Sequence, residues 1–60
     1  MMKIGDTVEL IDENDHDGNY RGRMKVLSIK GQEVTCDHPF YDETIWFDKD
    51  ELVVMVEAND

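Results

Sequence analysis

Arg23-Met24-Lys25-Val26-Leu27-Ser28-Ile29-Lys30-Gly31-Gln32-Glu33-Val34-Thr35-Cys36-Asp37 is the stretch whose reading decides the fold. Its second half alternates with a period of two. Val34 and Cys36 fall on one face, and Glu33, Thr35 and Asp37 fall on the other. The first half, Arg23 to Lys30, is also strand-like, but its phase breaks: Met24 and Val26 share one face, Leu27 and Ile29 the opposite one. A β-bulge or a strong bend near Val26–Ser28 would reconcile the two faces. Lys30-Gly31-Gln32 supplies a tight turn, which joins the two halves as a hairpin.

Outward from the hairpin, the same period recurs. Thr7-Val8-Glu9-Leu10 alternates with Val8 and Leu10 inward, preceded by Gly5-Asp6 turn chemistry. Residues 12–22 hold two glycines, two asparagines and four carboxylates without periodicity, and read as one long loop. After the hairpin, His38-Pro39 stops the strand, because proline donates no ladder hydrogen bond. A loop over 38–43 then leads to Thr44-Ile45-Trp46-Phe47, a short run of β-formers. Asp48-Lys49-Asp50-Glu51 reads as a single helical turn, with Asp48 as its cap and Glu51 three residues on. Leu52 to Val56 is the last strand, apolar on both faces and a candidate edge for pairing with another chain. Residues 57–60 are polar and are expected to fray. No window carries a sustained helical period. The expectation is an all-β chain of five strands with one helical turn before the last.

Sixty residues make one domain with a small core. Fifteen acidic residues against six basic ones leave a formal net charge of −9. A field of that sign repels phosphate and argues against nucleic acid as the partner. The charge is unevenly placed. Four acids lie in 12–17 and six in 37–51, while four of the six bases fall between 21 and 30. The single cysteine, Cys36, excludes an intramolecular disulfide and a paired-cysteine zinc site. No apolar run approaches the roughly 20 residues of a membrane span, and 1–6 lack the apolar stretch of a signal peptide. A cytoplasmic protein that does not engage a membrane is the simplest expectation.

In order and spacing, these elements resemble the SH3-like small β-barrel over roughly residues 3–56. Gly22-Arg23-Met24-Lys25-Val26-Leu27-Ser28-Ile29-Lys30-Gly31 is similar to the KOW segment of that fold. Trp46-Phe47-Asp48-Lys49-Asp50-Glu51-Leu52-Val53-Val54 resembles its closing turn and strand. The resemblance implies a five-stranded SH3-like barrel and a binding rather than catalytic role. KOW segments carry a glycine where this chain has Met24, and the Ala-Leu-Tyr-Asp-Tyr-type stretch of proline-binding SH3 domains has no counterpart here.

Several residue groups compete for a functional role. Glu13-x-Asp15-x-Asp17-Gly18 opens like a calcium loop, but the ninth position is Arg21 and the twelfth, where a bidentate glutamate belongs, is Met24. A solvated loop of Asx turns accounts for it, and no metal or other cofactor is assigned. His16 and His38 lie in separate loops without ligand spacing and are read as exposed. Cys36, beside Val34 on the inward face, has no base or cation to activate it and is read as core. With Ser28 mid-strand and no triad around it, there are no catalytic candidates and no enzyme is expected.

Segment 37–51 combines aromatics with carboxylates. Phe40, Tyr41, Asp42, Glu43, Trp46 and Asp48, aided by Asp15 and Asp17, form the candidate partner-binding set. If Ile45 and Phe47 point inward, Trp46 points out, and an exposed indole among carboxylates suits an Arg or Lys from a partner with a basic surface. The competing reading has Trp46 closing one end of the barrel. Arg21, Arg23 and Lys25, with Tyr20, make the alternative site for nucleic acid. Three cations are a small footprint, however, and they suit neutralisation of neighbouring acids better. The expected function is a non-enzymatic acidic interaction module, monomeric or weakly dimeric through the last strand. Two alternatives stand beside it: an acidic mimic of nucleic acid, of the kind phages and mobile elements direct at host enzymes, and a KOW-like nucleic-acid-binding barrel.

Overall fold

The computed structural model describes residues 1–11, 22–39 and 42–59. Among them are five strands: β1 (Thr7–Leu10), β2 (Met24–Lys30), β3 (Glu33–Asp37), β4 (Ile45–Asp48) and β5 (Leu52–Val56). All pair antiparallel in one sheet of order β4-β3-β2-β1-β5. A 3-10 turn, Lys49–Glu51, joins β4 to β5. The chain is all-β, as its periodicity predicts, with β2 and β4 each starting one residue later than the alternation alone indicates.

The hairpin forms as read. Lys30 pairs with Glu33 across a two-residue loop, and Gly31 at φ +62° supplies the positive φ that a type II′ turn needs at its first central position. The register runs Val26 with Cys36 and then Ser28 with Thr35, which leaves Leu27 as the extra residue of a bulge. Leu27 is exposed, while Met24 and Val26 before it are buried and Ile29 after it packs against the core. The bulge thus repairs the broken phase and keeps one face apolar.

That face carries the core: Val8, Leu10, Met24, Val26, Val34, Cys36, Phe47 and Leu52, with Met2, Ile29, Ile45 and Val54 packed at its margin. Every strand contributes to it. No helix or second sheet covers it among the described residues. A sheet that gathers its inward side chains into one cluster curves around them. The curl brings Phe47 and Leu52, from the two ends of the sheet, into one cluster. No ladder joins β4 to β5 among the described residues, and the 3-10 turn bridges the seam instead. It is pinned by backbone bonds from Lys49 N–H to the Gln32 carbonyl (2.7 Å) and from Ile11 N–H to the Glu51 carbonyl (2.9 Å). Asp48 accepts from Asp50 N–H and Glu51 accepts from Asp48 N–H, both at 2.9 Å, completing the capping box.

Two polar side chains are buried with the core. Asp6 is fully enclosed, and its carboxylate accepts from Lys3 N–H (2.9 Å) and Ala58 N–H (2.7 Å). The hydrogen bond from Ala58 is the largest influence and holds the carboxyl below its usual range; burial opposes it, and Lys3 assists through its amide and its charge. One carboxylate thereby ties the chain after β5 to the turn before β1. Gly5 makes the approach possible: its φ is +94°, and a Cβ there would lie 3.1 Å from that of Ala58. His38 corrects a sequence expectation. Its loop position predicts exposure, yet it is 1% exposed. Position 38 continues the alternation of Val34 and Cys36, so its side chain follows them inward.

Candidate interaction face

The side chains that β3 and β4 turn away from the core define the candidate site. On β4, Ile45 and Phe47 point inward and Trp46 points out. Trp46 is 64% exposed, so its indole presents itself to solvent and does not close an end of the core. Its neighbours explain the exposure. Trp46 pairs with Thr35, and Thr35 with Ser28, so the row across the sheet holds two small residues that cannot cover a ring.

Carboxylates flank that row. Glu33 and Asp37 stand two residues either side of Thr35 on the same face of β3, diagonal to Trp46. Diagonal positions lie roughly 7–8 Å apart between Cα atoms, within reach of an aromatic ring or of a long cation between them. Asp48 follows Trp46 on the same face of β4, opposite Glu33. Its Oδ1 accepts from Asp50 N–H and from Gln32 Nε2 at 3.2 Å, which orients it. Asp42 and Glu43 are exposed just before the strand. Across 33–51 the chain carries seven acids and one base, Lys49. On β2, Lys30 and Lys25 stand opposite Glu33 and Asp37, while the β4 side of the ring keeps an excess of negative charge suited to a guanidinium or ammonium group.

Of the predicted set, Trp46 and Asp48 share the outward face of β4, and Asp42 and Glu43 are exposed in the segment before it. Phe40, Tyr41, Asp15 and Asp17 lie outside the described residues, as do the Glu13–Gly18 loop and His16. Glu33 was missed by sequence reasoning, although the two-residue turn that pairs it with Lys30 contains the signal. That turn and the alternation put Glu33 on the outward face of β3 with Thr35; its place opposite Asp48 comes from the separate register of β3 with β4.

The basic stripe is engaged elsewhere. Arg23 Nε lies 3.5 Å from Glu9 Oε2, both side chains partly solvated. Lys25 sits in register between Thr7 on β1 and Asp37 on β3. Both cations line an open groove of about 260 Å³ with Thr7, Met24, Asp37 and Pro39. Tyr20 and Arg21 lie outside the described residues. Cys36 is buried, and burial pushes its thiol up to about 11, so it stays protonated at neutral pH.

Among the described residues no helix is long and apolar enough to cross a membrane. In comparison with known proteins the chain matches no protein-family model, and no curated protein or solved structure is significantly similar to it.

Proposed function

We propose that this chain is a non-enzymatic interaction module of the SH3-like kind, which recognises a basic protein surface or peptide through the outward face of β4. The observation that carries the reading is the exposed Trp46, set on a terminal strand of the sheet between carboxylates. An exposed indole costs hydration free energy that a solvated surface residue would avoid, and Trp is among the residues most often central to binding. The negative field draws a cationic partner in and raises its association rate. At contact, an Arg or Lys lies on the ring while Glu33, Asp37 and Asp48 pair with its charge. A reducing, cytoplasmic setting suits the lone buried Cys36.

Titration of the protein with an arginine-rich peptide tests this. Saturable binding is expected, weakened at least tenfold by Trp46→Ala and by raising salt from 20 to 500 mM. Binding that is indifferent to both changes would remove the proposal. The groove beside Arg23 and Lys25 supports a second reading, a KOW-like nucleic-acid contact, though Glu9 already holds Arg23 and Asp37 shares the groove. A gel shift at low salt, where the phosphate term is strongest, separates the two.

A further inference from the structure

The hydrogen-bond phase of β4 specifies how a basic partner would meet Trp46. A two-residue hairpin loop closes on a hydrogen-bonded pair, here Lys30 and Glu33, so the backbone of Glu33 faces β2. Backbone direction alternates along a strand. Val34 and Cys36 therefore face β4, and their partners Phe47 and Ile45 face back toward β3. The N–H and C=O of Trp46 then point the other way, along the outer edge of the sheet. Asp48 has the same phase, and its N–H is indeed spent away from β3, on the Glu51 carboxylate. Among the described residues no strand lies beyond β4. This edge combines outward backbone groups at Trp46, an indole on the adjoining face and an acidic surround.

Resting on the reading of the β4 face given above, we infer that the partner binds by antiparallel strand addition to β4, with an Arg or Lys directly opposite Trp46. In that register the cationic residue exchanges both backbone hydrogen bonds with Trp46, and its side chain falls on the same outward face, beside the indole. The residues before and after it turn to the opposite face, next to half-buried Ile45 and buried Phe47, and are apolar. The next residues out return to the acidic face and carry positive charge. The partner is thus a short extended segment in which cations alternate with apolar residues. The Asp48 N–H, already bonded to Glu51, bounds the added ladder on one side, so Trp46 is its centre.

The probe is acetyl-Lys-Val-Arg-Val-Lys-amide, alongside the same peptide N-methylated on its central arginine. N-methylation deletes one backbone donor and leaves the charge and both valines intact. Each is titrated into the isotope-labelled full chain at low salt, with the Trp46 amide and indole followed by NMR. The expected result is saturable binding by the parent peptide, slowed hydrogen exchange at the Trp46 amide, and at least tenfold weaker binding by the N-methyl peptide. Equal affinity for both peptides, with binding lost in Trp46→Ala, would overturn strand addition and leave side-chain recognition of basic partners standing. No shift at Trp46 with either peptide at millimolar concentration would overturn both. Trp46→Ala removes an exposed side chain, and its amide spectrum reports directly that the sheet is retained.

Discussion

β4 and β5 occupy the two ends of the same sheet, and inwardly they do the same work: Phe47 from one and Leu52 from the other enter a single core. Outwardly they differ. β4 presents Trp46 with Asp48 beside it and Glu33 and Asp37 diagonal to it. β5 carries no charge from Leu52 to Val56 and exposes Val53, Met55 and Val56. The inner faces obey one packing rule, which fixes the fold. The outer faces share no such rule, and the proposed binding lies on one of them. Ionic strength separates the two edges. Screening weakens attraction between a chain of net charge −9 and a cation, and it also weakens repulsion between two copies of that chain. The proposed binding of a basic partner at β4 should therefore fall with salt, while any self-pairing through β5 should rise.

The largest expected effect tests what the edges share. Phe47→Ala should cost about 3–5 kcal/mol and Leu52→Ala about 2–5 kcal/mol. A 60-residue domain holds only about 3–9 kcal/mol in total, so urea melts of both variants should show most of the stability gone. A loss under about 1 kcal/mol at either position would break the claim that both ends of the sheet close one core.

On the outward faces the expected effects are on binding. Trp46→Ala should change stability by less than about 1 kcal/mol while abolishing affinity for an arginine-rich peptide. Met55→Lys should leave that affinity within about twofold, since Met55 lies off the β4 face, on a strand whose ladder partner is β1. In sedimentation at 500 mM salt and high protein concentration, the wild type should self-associate weakly. Met55→Lys should stay at the monomer mass of 7.0 kDa, because charge on an edge strand blocks pairing.

A smaller difference appears in acid. Asp6 anchors the segment after β5 to the turn before β1 through a buried bond to Ala58, whereas the carboxylates at the end of β4, Asp48 and Glu51, bond within their own turn and to Gln32 at more exposed positions. Its carboxyl is lowered in the folded protein, so its contribution is complete above the unfolded value near 3.8 and is lost as pH falls through the folded value below it. Amide exchange between pH 5 and 2 should show β5 losing protection before β4. In Asp6→Asn the β5 amides should be less protected already at pH 5, with little further change on acidification. Parallel loss from both strands in the wild type would contradict the clamp.

Much of the fold was legible because its causes are local. The hairpin, the bulge that leaves out Leu27, and the cap of Asp48 over Glu51 each depend on residues a few positions apart. The Asp6 clamp joins positions 52 residues apart, and no local pattern announces it. His38 was misread because its loop context argued for exposure while the inward phase set by Val34 and Cys36 carried on past the strand end. For the site, alternation sets Trp46 on the face opposite Ile45 and Phe47 but leaves open whether the indole is exposed or closes one end of the barrel; the structure exposes it. That it stays uncovered depends on Thr35 and Ser28 sharing its row, and on a register set by the Gly31 turn one strand away.

The central claim is that Trp46 and its carboxylates form a cation-binding face. Trp46 is the chain's single tryptophan, so its emission reports that face alone. Its fluorescence should be followed during titration with an arginine-rich peptide at 20 mM and at 500 mM salt. The account predicts a saturating change in emission at low salt, with an apparent Kd at least tenfold weaker at high salt. Emission that does not respond to the peptide, or a Kd that does not move with salt, would contradict it.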